Sequence, residues 1–96
     1  MHVAAPEVQV TIPSALRSLC RGQTQFCLAA DHVRGLLAEL SKQYPEIHVR
    51  LCDERGEPRP HINVFVNADH IRTRSGLDTP LTAGDLVYLL PAVSGG

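Results

Sequence analysis

The last twelve residues, Asp85-Leu86-Val87-Tyr88-Leu89-Leu90-Pro91-Ala92-Val93-Ser94-Gly95-Gly96, decide how the rest of the chain is interpreted. Leu86 to Leu90 is an apolar run that predicts a strand, and we expect the strand to stop at Pro91 because proline cannot donate a ladder hydrogen bond. Residues 91–96 could extend about 20 Å at 3.3–3.6 Å per residue. The two terminal glycines lack Cβ atoms and could lie flat in a narrow channel. We therefore predict a folded body, 1–90, and a flexible extended tail, 91–96.

Upstream stretches predict further strands of a small sheet. Glu7 to Ile12 alternates apolar and polar residues, which indicates a half-buried strand. Thr24 to Leu28 follows a turn signal and predicts a second strand. Ile62 to Val66 predicts a third, in which the alternation turns Phe65 outward. Ile71-Arg72 is expected to add a short further pairing.

One main helix is predicted between the second and third strands. Asp31 is a good N-cap, because its short side chain can accept from amides of the first turn. Pro45 is expected to end the helix. The alternation in Glu46 to Cys52 indicates a strand, whereas the family resemblance described below implies a short helix or irregular turn, so both structures stay open. Residues 53–60 are charged and rich in breakers, which predicts a surface loop. The apolar positions at helical spacing are Val33, Leu36, Leu37, Leu40 and Tyr44.

Length, composition and charge limit the function classes. The chain has 96 residues, 44% of them hydrophobic, and a formal net charge of −1. This length predicts one domain with a modest core. The charge argues against nucleic-acid binding through phosphate contacts. The first residues do not have the basic pattern of a secretion signal. No apolar run approaches the ~20 residues that a membrane span needs. We expect a soluble, cytoplasmic protein that is monomeric alone.

The three cysteines do not predict a disulfide framework or a zinc or redox site. Cys20, Cys27 and Cys52 are widely spaced and odd in number. We expect small, partly buried hydrophobic residues, with Cys20 and Cys52 more exposed than Cys27. A reactive thiol is the alternative.

No stretch of the chain predicts an enzyme active site. The sequence has no nucleophile elbow, P-loop or HExxH, and its histidines are scattered without ligand spacing. We expect no bound cofactor and no metal site. The reactive group is then expected at the terminus, on the Gly96 carboxylate.

The ending Leu90-Pro91-Ala92-Val93-Ser94-Gly95-Gly96 resembles that of the MoaD/ThiS group of ubiquitin-like sulfur carriers. Upstream matches follow in the family's order at Asn63–Asn67, Ile71-Arg72, Gly76–Leu81 and Gly84-Asp85. The resemblance is strongest to the CysO-like branch, which supplies sulfide for cysteine biosynthesis. It implies an α+β, β-grasp (ubiquitin-like) fold with a mixed sheet of four to five strands packed on one main helix.

The resemblance also implies that partner enzymes act on the chain. An E1-like adenylyltransferase of the MoeB/ThiF type would adenylate Gly96 with ATP, and sulfide or a persulfide would displace AMP to leave a thiocarboxylate. A pyridoxal-phosphate cysteine synthase would accept the sulfur on an aminoacrylate formed from O-phosphoserine, and a JAMM-type metallopeptidase would release cysteine. Gly95 would share the narrow channel with Gly96. The connecting tail is Pro91, Ala92, Val93 and Ser94.

Other acceptors and one other class of function stay open. The chain could be the small subunit of molybdopterin synthase, with a MoaE-like partner, or a donor for thiamin or a secondary metabolite, with a ThiG-like partner. A protein modifier joined through Gly96 to lysines is a different class. A plain binding module with a frayed end is a further alternative.

A docking surface is predicted on one face of the sheet. Phe65, Tyr88 and Leu90 all point away from the core by alternation, and exposed apolar patches often mark partner sites. Arg72 and Arg74 could form a basic rim for an acidic partner. The alternative is that the aromatic residues merely cover the sheet and the arginines are solvated.

Overall fold

Five strands form one mixed sheet in the computed structural model, which describes residues 4–92. The strands are β1 (Glu7–Thr11), β2 (Gln25–Ala29), β3 (Ile62–Val66), β4 (Asp69–His70) and β5 (Leu86–Pro91). The helices are α1 (Val33–Gln43) and α2 (Pro45–Leu51), with 3-10 turns at Ser14–Cys20, Ile71–Thr73 and Gly76–Asp78. The residues Val93 to Gly96, which carry the predicted reactive end, lie outside the described part.

The strand order is β2-β1-β5-β3-β4. β1 pairs antiparallel with β2 and parallel with β5, and β5 pairs antiparallel with β3. The first and last strands of the chain therefore lie side by side at the centre of the sheet, with α1 and α2 in the connection between β2 and β3. This is the β-grasp arrangement, which confirms the predicted fold class.

The core lies between one face of the sheet and the two helices. Inward side chains of the central strands are buried, with Val10, Val64 and Val87 at most 1% exposed. The predicted apolar stripe of α1 meets them, and Leu36 and Leu40 are fully buried. Alternation in the strands and helical spacing in α1 therefore place the apolar side chains in one shared core.

The helix α1 begins one residue later than predicted, which makes the Asp31 cap assignment wrong. The N-cap is His32, whose Nδ1 accepts from the Gly35 N–H at 3.1 Å. Asp31 instead uses its backbone carbonyl to accept from the Leu81 N–H at 2.8 Å. The contact with a segment far along the chain fixes where the helix starts.

The stretch left open between strand and helix is the helix α2. Pro45 stands at its first turn, where a missing N–H costs nothing. Ile47 and Leu51 are buried and four residues apart, whereas Val49 between them is 57% exposed. A strand would have placed all three on one face, so the exposure of Val49 distinguishes the two structures.

The short pairing predicted at Ile71-Arg72 lies two residues earlier. Asp69 and His70 form β4, opposite Val66 and Phe65 of β3. Ile71 begins a 3-10 turn with its side chain 8% exposed in the core. Because Asn67 adopts a left-handed conformation, with φ of 55°, the chain reverses immediately after β3 and pairs at once.

The predicted order of cysteine exposure is wrong. Cys20 and Cys52 are buried, 6% and 2% exposed, and Cys27 is exposed on β2. Burial raises the pKa of the Cys52 thiol to about 11. Of the three, Cys27 is therefore the thiol that solvent reaches.

Candidate functional site

The sequence predicted that the last strand ends at Leu90, but in the structure the strand includes Pro91. Pro91 faces Ile62 in the β3–β5 register, and the Ala92 N–H donates to the His61 carbonyl at 2.6 Å. The sheet therefore holds the chain as far as Ala92. Of the residues expected in the free tail, Pro91 therefore belongs to β5 and Ala92 is hydrogen-bonded to His61, the residue before β3.

Proline is tolerated in this strand because of the register. Ala92 and His61 are a hydrogen-bonded pair, so the alternation of an antiparallel ladder points the backbone nitrogen of Pro91 away from β3. On that other side β1 has already ended, since its last pairing with β5 is Thr11 with Tyr88. The missing N–H leaves no acceptor unpaired on either neighbouring strand.

The start of β5 is tied to the end of β3 by a small hydrogen-bond network. Asn67 donates its side-chain N–H to Asp85 Oδ1 at 3.1 Å and accepts from the Leu86 N–H at 3.0 Å. Asp85 Oδ2 accepts from the Thr82 N–H at 2.8 Å. These bonds set the register in which β5 enters the sheet, and hence where it leaves.

The environment of Asp85 favours its charged form. The backbone bond from Thr82 is the largest cause that holds the pKa of this carboxyl below its usual value, and the Asn67 bond and the Arg74 charge act in the same direction. Partial burial opposes them. Gly84, which directly precedes Asp85 and has a φ of +87°, is the local sequence signal of the turn.

The three residues of the predicted docking surface share the sheet face opposite the helices. Phe65 and Tyr88 are directly opposite each other across β3 and β5. Leu90, two residues after Tyr88 on the same face, is opposite Asn63. All three are half-buried, and Leu86, which is exposed at the start of β5, continues the face. The predicted outward orientation is confirmed, and its use in docking stays a prediction.

His70 joins this surface although the sequence reasoning missed it. Its ring meets Phe65 edge-on with centroids 5.1 Å apart, and its Nε2 lies 3.0 Å from Asn63 Oδ1. The pairing of β4 with β3 brings it there. Its local sequence gives no signal beyond the turn that precedes it.

Arg72 and Arg74, the predicted basic rim, are both exposed just beyond β4. Arg72 also lines a cleft with Arg59, Ile62 and Leu77 at this edge of the sheet. Arg74 is close enough to Asp85 to affect its pKa. The structure places both arginines at the β3–β4 side, and their contact with a partner stays a prediction.

Residues 4–92 contain no group of three or more His, Cys, Asp or Glu side chains placed to hold a metal ion. No helix among the described residues is long and apolar enough to cross a membrane.

Comparison with known proteins assigns the chain to a family. The ThiS family model matches residues 10–96. The sulfur carrier protein CysO of Mycobacterium tuberculosis is 35% identical over 91 residues, 93% of this chain and 98% of the relative. Small archaeal modifier protein 3 of Haloferax volcanii is 36% identical over 64 residues, 67% of this chain and 68% of the relative.

A solved structure agrees in fold as well as sequence. It is the crystal structure of the Amycolatopsis orientalis BexX/CysO complex, in which a matched chain is 31% identical with a TM-score of 0.80. The match covers 93% of this chain and 99% of that one. Together with the β-grasp sheet, these matches show that the chain belongs to the ThiS family and is a sulfur carrier protein, not an enzyme.

Proposed function

We propose that the Gly96 carboxylate is adenylated by an E1-like enzyme of the MoeB/ThiF type and converted to a thiocarboxylate. One observation carries the proposal: β5 lies at the sheet centre and is hydrogen-bonded as far as Ala92, four residues before Gly96. The family match also runs to residue 96. A folded body that holds its chain to within four residues of the carboxylate is suited to presenting that carboxylate to another protein's active site.

The carboxylate needs activation because its charge is delocalised and its oxygen is a poor leaving group. Adenylation joins a carboxylate oxygen to the α-phosphorus of ATP and releases pyrophosphate. Sulfide then attacks the acyl carbon, a C–S bond forms, and the bond to AMP breaks. The product is a nucleophilic sulfur on Gly96, and ATP is consumed by the partner without being bound by this fold.

The acceptor that we propose is an aminoacrylate on a pyridoxal-phosphate cysteine synthase. The thiocarboxylate sulfur adds to the β-carbon of the aminoacrylate, and the acyl group moves from sulfur to the new amine. A JAMM-type metallopeptidase then hydrolyses the Gly96–cysteine amide. Support comes from the CysO relative and from the resemblance of residues 62–96 to that branch.

The sheet face built around Phe65, Tyr88 and Leu90 is proposed to dock these partners. It lies on the strands β3 and β5, beside the last paired residues of β5. An apolar centre with exposed arginines at its edge has the composition of a protein-binding surface. The BexX/CysO complex supports the view that a carrier of this fold works by docking. We propose that this takes place in the cytoplasm.

A protein modifier is the second candidate function. The relative called small archaeal modifier protein 3 is 36% identical over two thirds of this chain. Modification would use the same adenylate, with a lysine amine in place of sulfide as the nucleophile. Tryptic peptides from cells distinguish the two functions, because a modifier leaves the C-terminal tryptic peptide, residues 75–96, joined to lysines of other proteins. The cysteine pathway instead leaves Gly96 joined to a single cysteine.

The Gly95→Val variant tests the narrow-channel part of the proposal. The valine side chain is expected to clash in the adenylation channel and to lower the activating enzyme's ATP–pyrophosphate exchange by at least about 100-fold, the effect of losing close to 3 kcal/mol of productive binding. Ala38→Val, at an exposed position of α1 on the opposite layer, is the matched control and should exchange like the parent. Parent-like exchange by Gly95→Val would contradict a narrow channel.

A further inference from the structure

One edge of the sheet carries free backbone groups. In the β1–β2 ladder the Ile12 N–H donates to Thr24 and the Ala30 N–H donates to Pro6, so the even-numbered residues of β2 bond to β1. By alternation, Gln25, Cys27 and Ala29 direct their N–H and C=O groups away from the sheet. No backbone hydrogen bond within residues 4–92 satisfies those groups.

This edge lacks the features that usually prevent strand addition. The stretch Gln25–Ala29 contains no charge and no proline, and its register with β1 is regular, without a bulge. The opposite edge, β4, is only two residues long. The 3-10 turn Ser14–Cys20, which leads into β2, packs against α2 and so lies on the helix layer rather than over the edge.

We propose that β2 is a self-association edge, on which the β2 strand of a second copy of this chain pairs antiparallel about a two-fold axis at Cys27. In that register Cys27 faces Cys27 of the second copy, and Gln25 faces Ala29 of the second copy. All three facing pairs are of the hydrogen-bonded type, with two N–H···O bonds at each. The two sheets become one continuous sheet with both helix layers on the same side.

The charges at the ends of β2 favour a second copy as the occupant. Arg21 precedes the strand, Asp31 follows it, and both are exposed. Antiparallel pairing therefore brings the basic end of each strand toward the acidic end of the other, twice by symmetry. Gln25 and Ala29, which face each other, bring no like charges together.

The association is weak and compatible with carrier function. Two five-residue strands bury an area at the low end of specific interfaces, below about 1,200 Å², so the chain is monomeric when dilute and dimeric when concentrated. The surface around Phe65 and Tyr88 and the end of β5 lie on the other side of β1 in the sheet order. Both stay open in the pair.

Cys27 is a built-in reporter for this geometry. Facing residues of a hydrogen-bonded antiparallel pair have Cα atoms about 5.5 Å apart, within the range that a disulfide spans. Diamide oxidises two thiols to one disulfide and takes up both electrons and both protons. Treatment of the concentrated protein should give a covalent dimer linked through Cys27, because Cys20 and Cys52 are buried.

The matched control moves the thiol one strand inward. Cys27→Ser combined with Gln9→Cys places a cysteine directly beside position 27 on the same face of β1. Its counterpart in the pair lies about three strand spacings of 4.8 Å away, too far for a disulfide. We expect at least tenfold slower cross-linking than through Cys27. Equal rates would overturn the proposal, since they would show random collision.

A charge exchange tests the register in reducing buffer by sedimentation. Gln25→Glu with Ala29→Glu sets like charges opposite each other and should weaken the concentration-dependent dimer at least tenfold. Gln25→Glu with Ala29→Lys sets opposite charges together and should restore it. A parent protein that stays monomeric at millimolar concentration, or two double variants that dimerise equally, would contradict self-association at this edge.

Discussion

Asp85 is a single residue whose side chain positions the strand that carries the tail. It accepts from the Thr82 N–H and the Asn67 side chain, and Asn67 in turn accepts from the Leu86 N–H. Asp85→Ala removes both acceptors and is expected to lower the free energy of unfolding by about 1–3 kcal/mol. Urea unfolding followed by circular dichroism measures this change.

The control for Asp85 is another aspartate with a different environment. Asp78 forms a 3.3 Å ion pair with Arg34, and both side chains are mostly exposed, 72% and 58%. Asp78→Ala should therefore change stability by no more than about 1 kcal/mol. A larger loss at Asp78 than at Asp85 would contradict the importance of the β3–β5 network.

The pH dependence of stability has a definite sign at Asp85. Its pKa in the folded protein lies below the ordinary value for aspartate, so its contribution to stability is fully present above the unfolded pKa and is lost as pH falls through the folded pKa. The parent should lose stability on acidification below about pH 4 more steeply than Asp85→Ala. Part of the slope should persist in the variant, because backbone bonds from Glu57 and Arg55 also lower the pKa of Asp53.

Thiol labelling tests the exposure of the cysteines. Iodoacetamide at pH 8 should modify Cys27 alone in the folded protein and all three thiols after unfolding. Cys52 resists because burial raises its pKa to about 11, which leaves almost no thiolate at pH 8. Peptide mass spectrometry locates the label. Rapid modification of Cys52 with Cys27 spared would contradict the structure.

Two wrong predictions, of the cysteine exposure and of the N-cap of α1, show which features the local sequence can predict. The alternation that turns Phe26 and Leu28 inward also turns Cys27 outward, so its exposure was readable from the pattern. The start of α1 was not readable, because the backbone of Asp31 is engaged by Leu81, fifty residues later. Local rules locate a helix N-cap to within about one residue, and a long-range contact then determines which residue is the cap.

Elements of secondary structure were predictable wherever one periodicity was clear. In α2 the buried pair Ile47 and Leu51 fits both a two-residue and a helical period, so the pattern could not decide. In β5 the pattern predicted the strand but placed its end one residue early. A proline ends a strand only where the ladder needs a backbone N–H at that position. Whether it is needed depends on the register of β5 with β1 and β3.

The outer face of β3 and β5 is the element-scale surface for partner binding. Phe65→Ser with Tyr88→Ser should weaken binding to the activating enzyme at least about tenfold, as expected for loss of aromatic anchors. The matched control is Val49→Ser, which removes an apolar side chain that is 57% exposed on the helix layer. Calorimetric titration measures the affinity, and circular dichroism checks that each variant is folded.

Two outcomes would remove that surface from the binding site. One is parent-like affinity in the folded Phe65→Ser, Tyr88→Ser variant. The other is an equal loss in Val49→Ser, since that would place the contact on the helices or indicate a non-specific loss of apolar surface.

At the scale of the whole molecule, the topology came from the resemblance and not from the pattern. Nothing local in Glu7–Thr11 and Leu86–Pro91 indicates that the first and last strands pair in parallel, because that pairing links residues nearly eighty positions apart. Pattern alone reached a small α+β domain. Because β5 pairs with β1 on one side and with β3 on the other, the topology fixes the strand that precedes the chain end.

The most direct test of the thiocarboxylate is the intact mass of the chain after incubation with ATP, sulfide and a MoeB/ThiF-type enzyme. We predict a gain equal to the exchange of one oxygen for one sulfur, located at Gly96 by fragmentation and absent when ATP is omitted. An unchanged mass while the enzyme consumes ATP on this chain, or a sulfur located on Cys27 instead of Gly96, would contradict it.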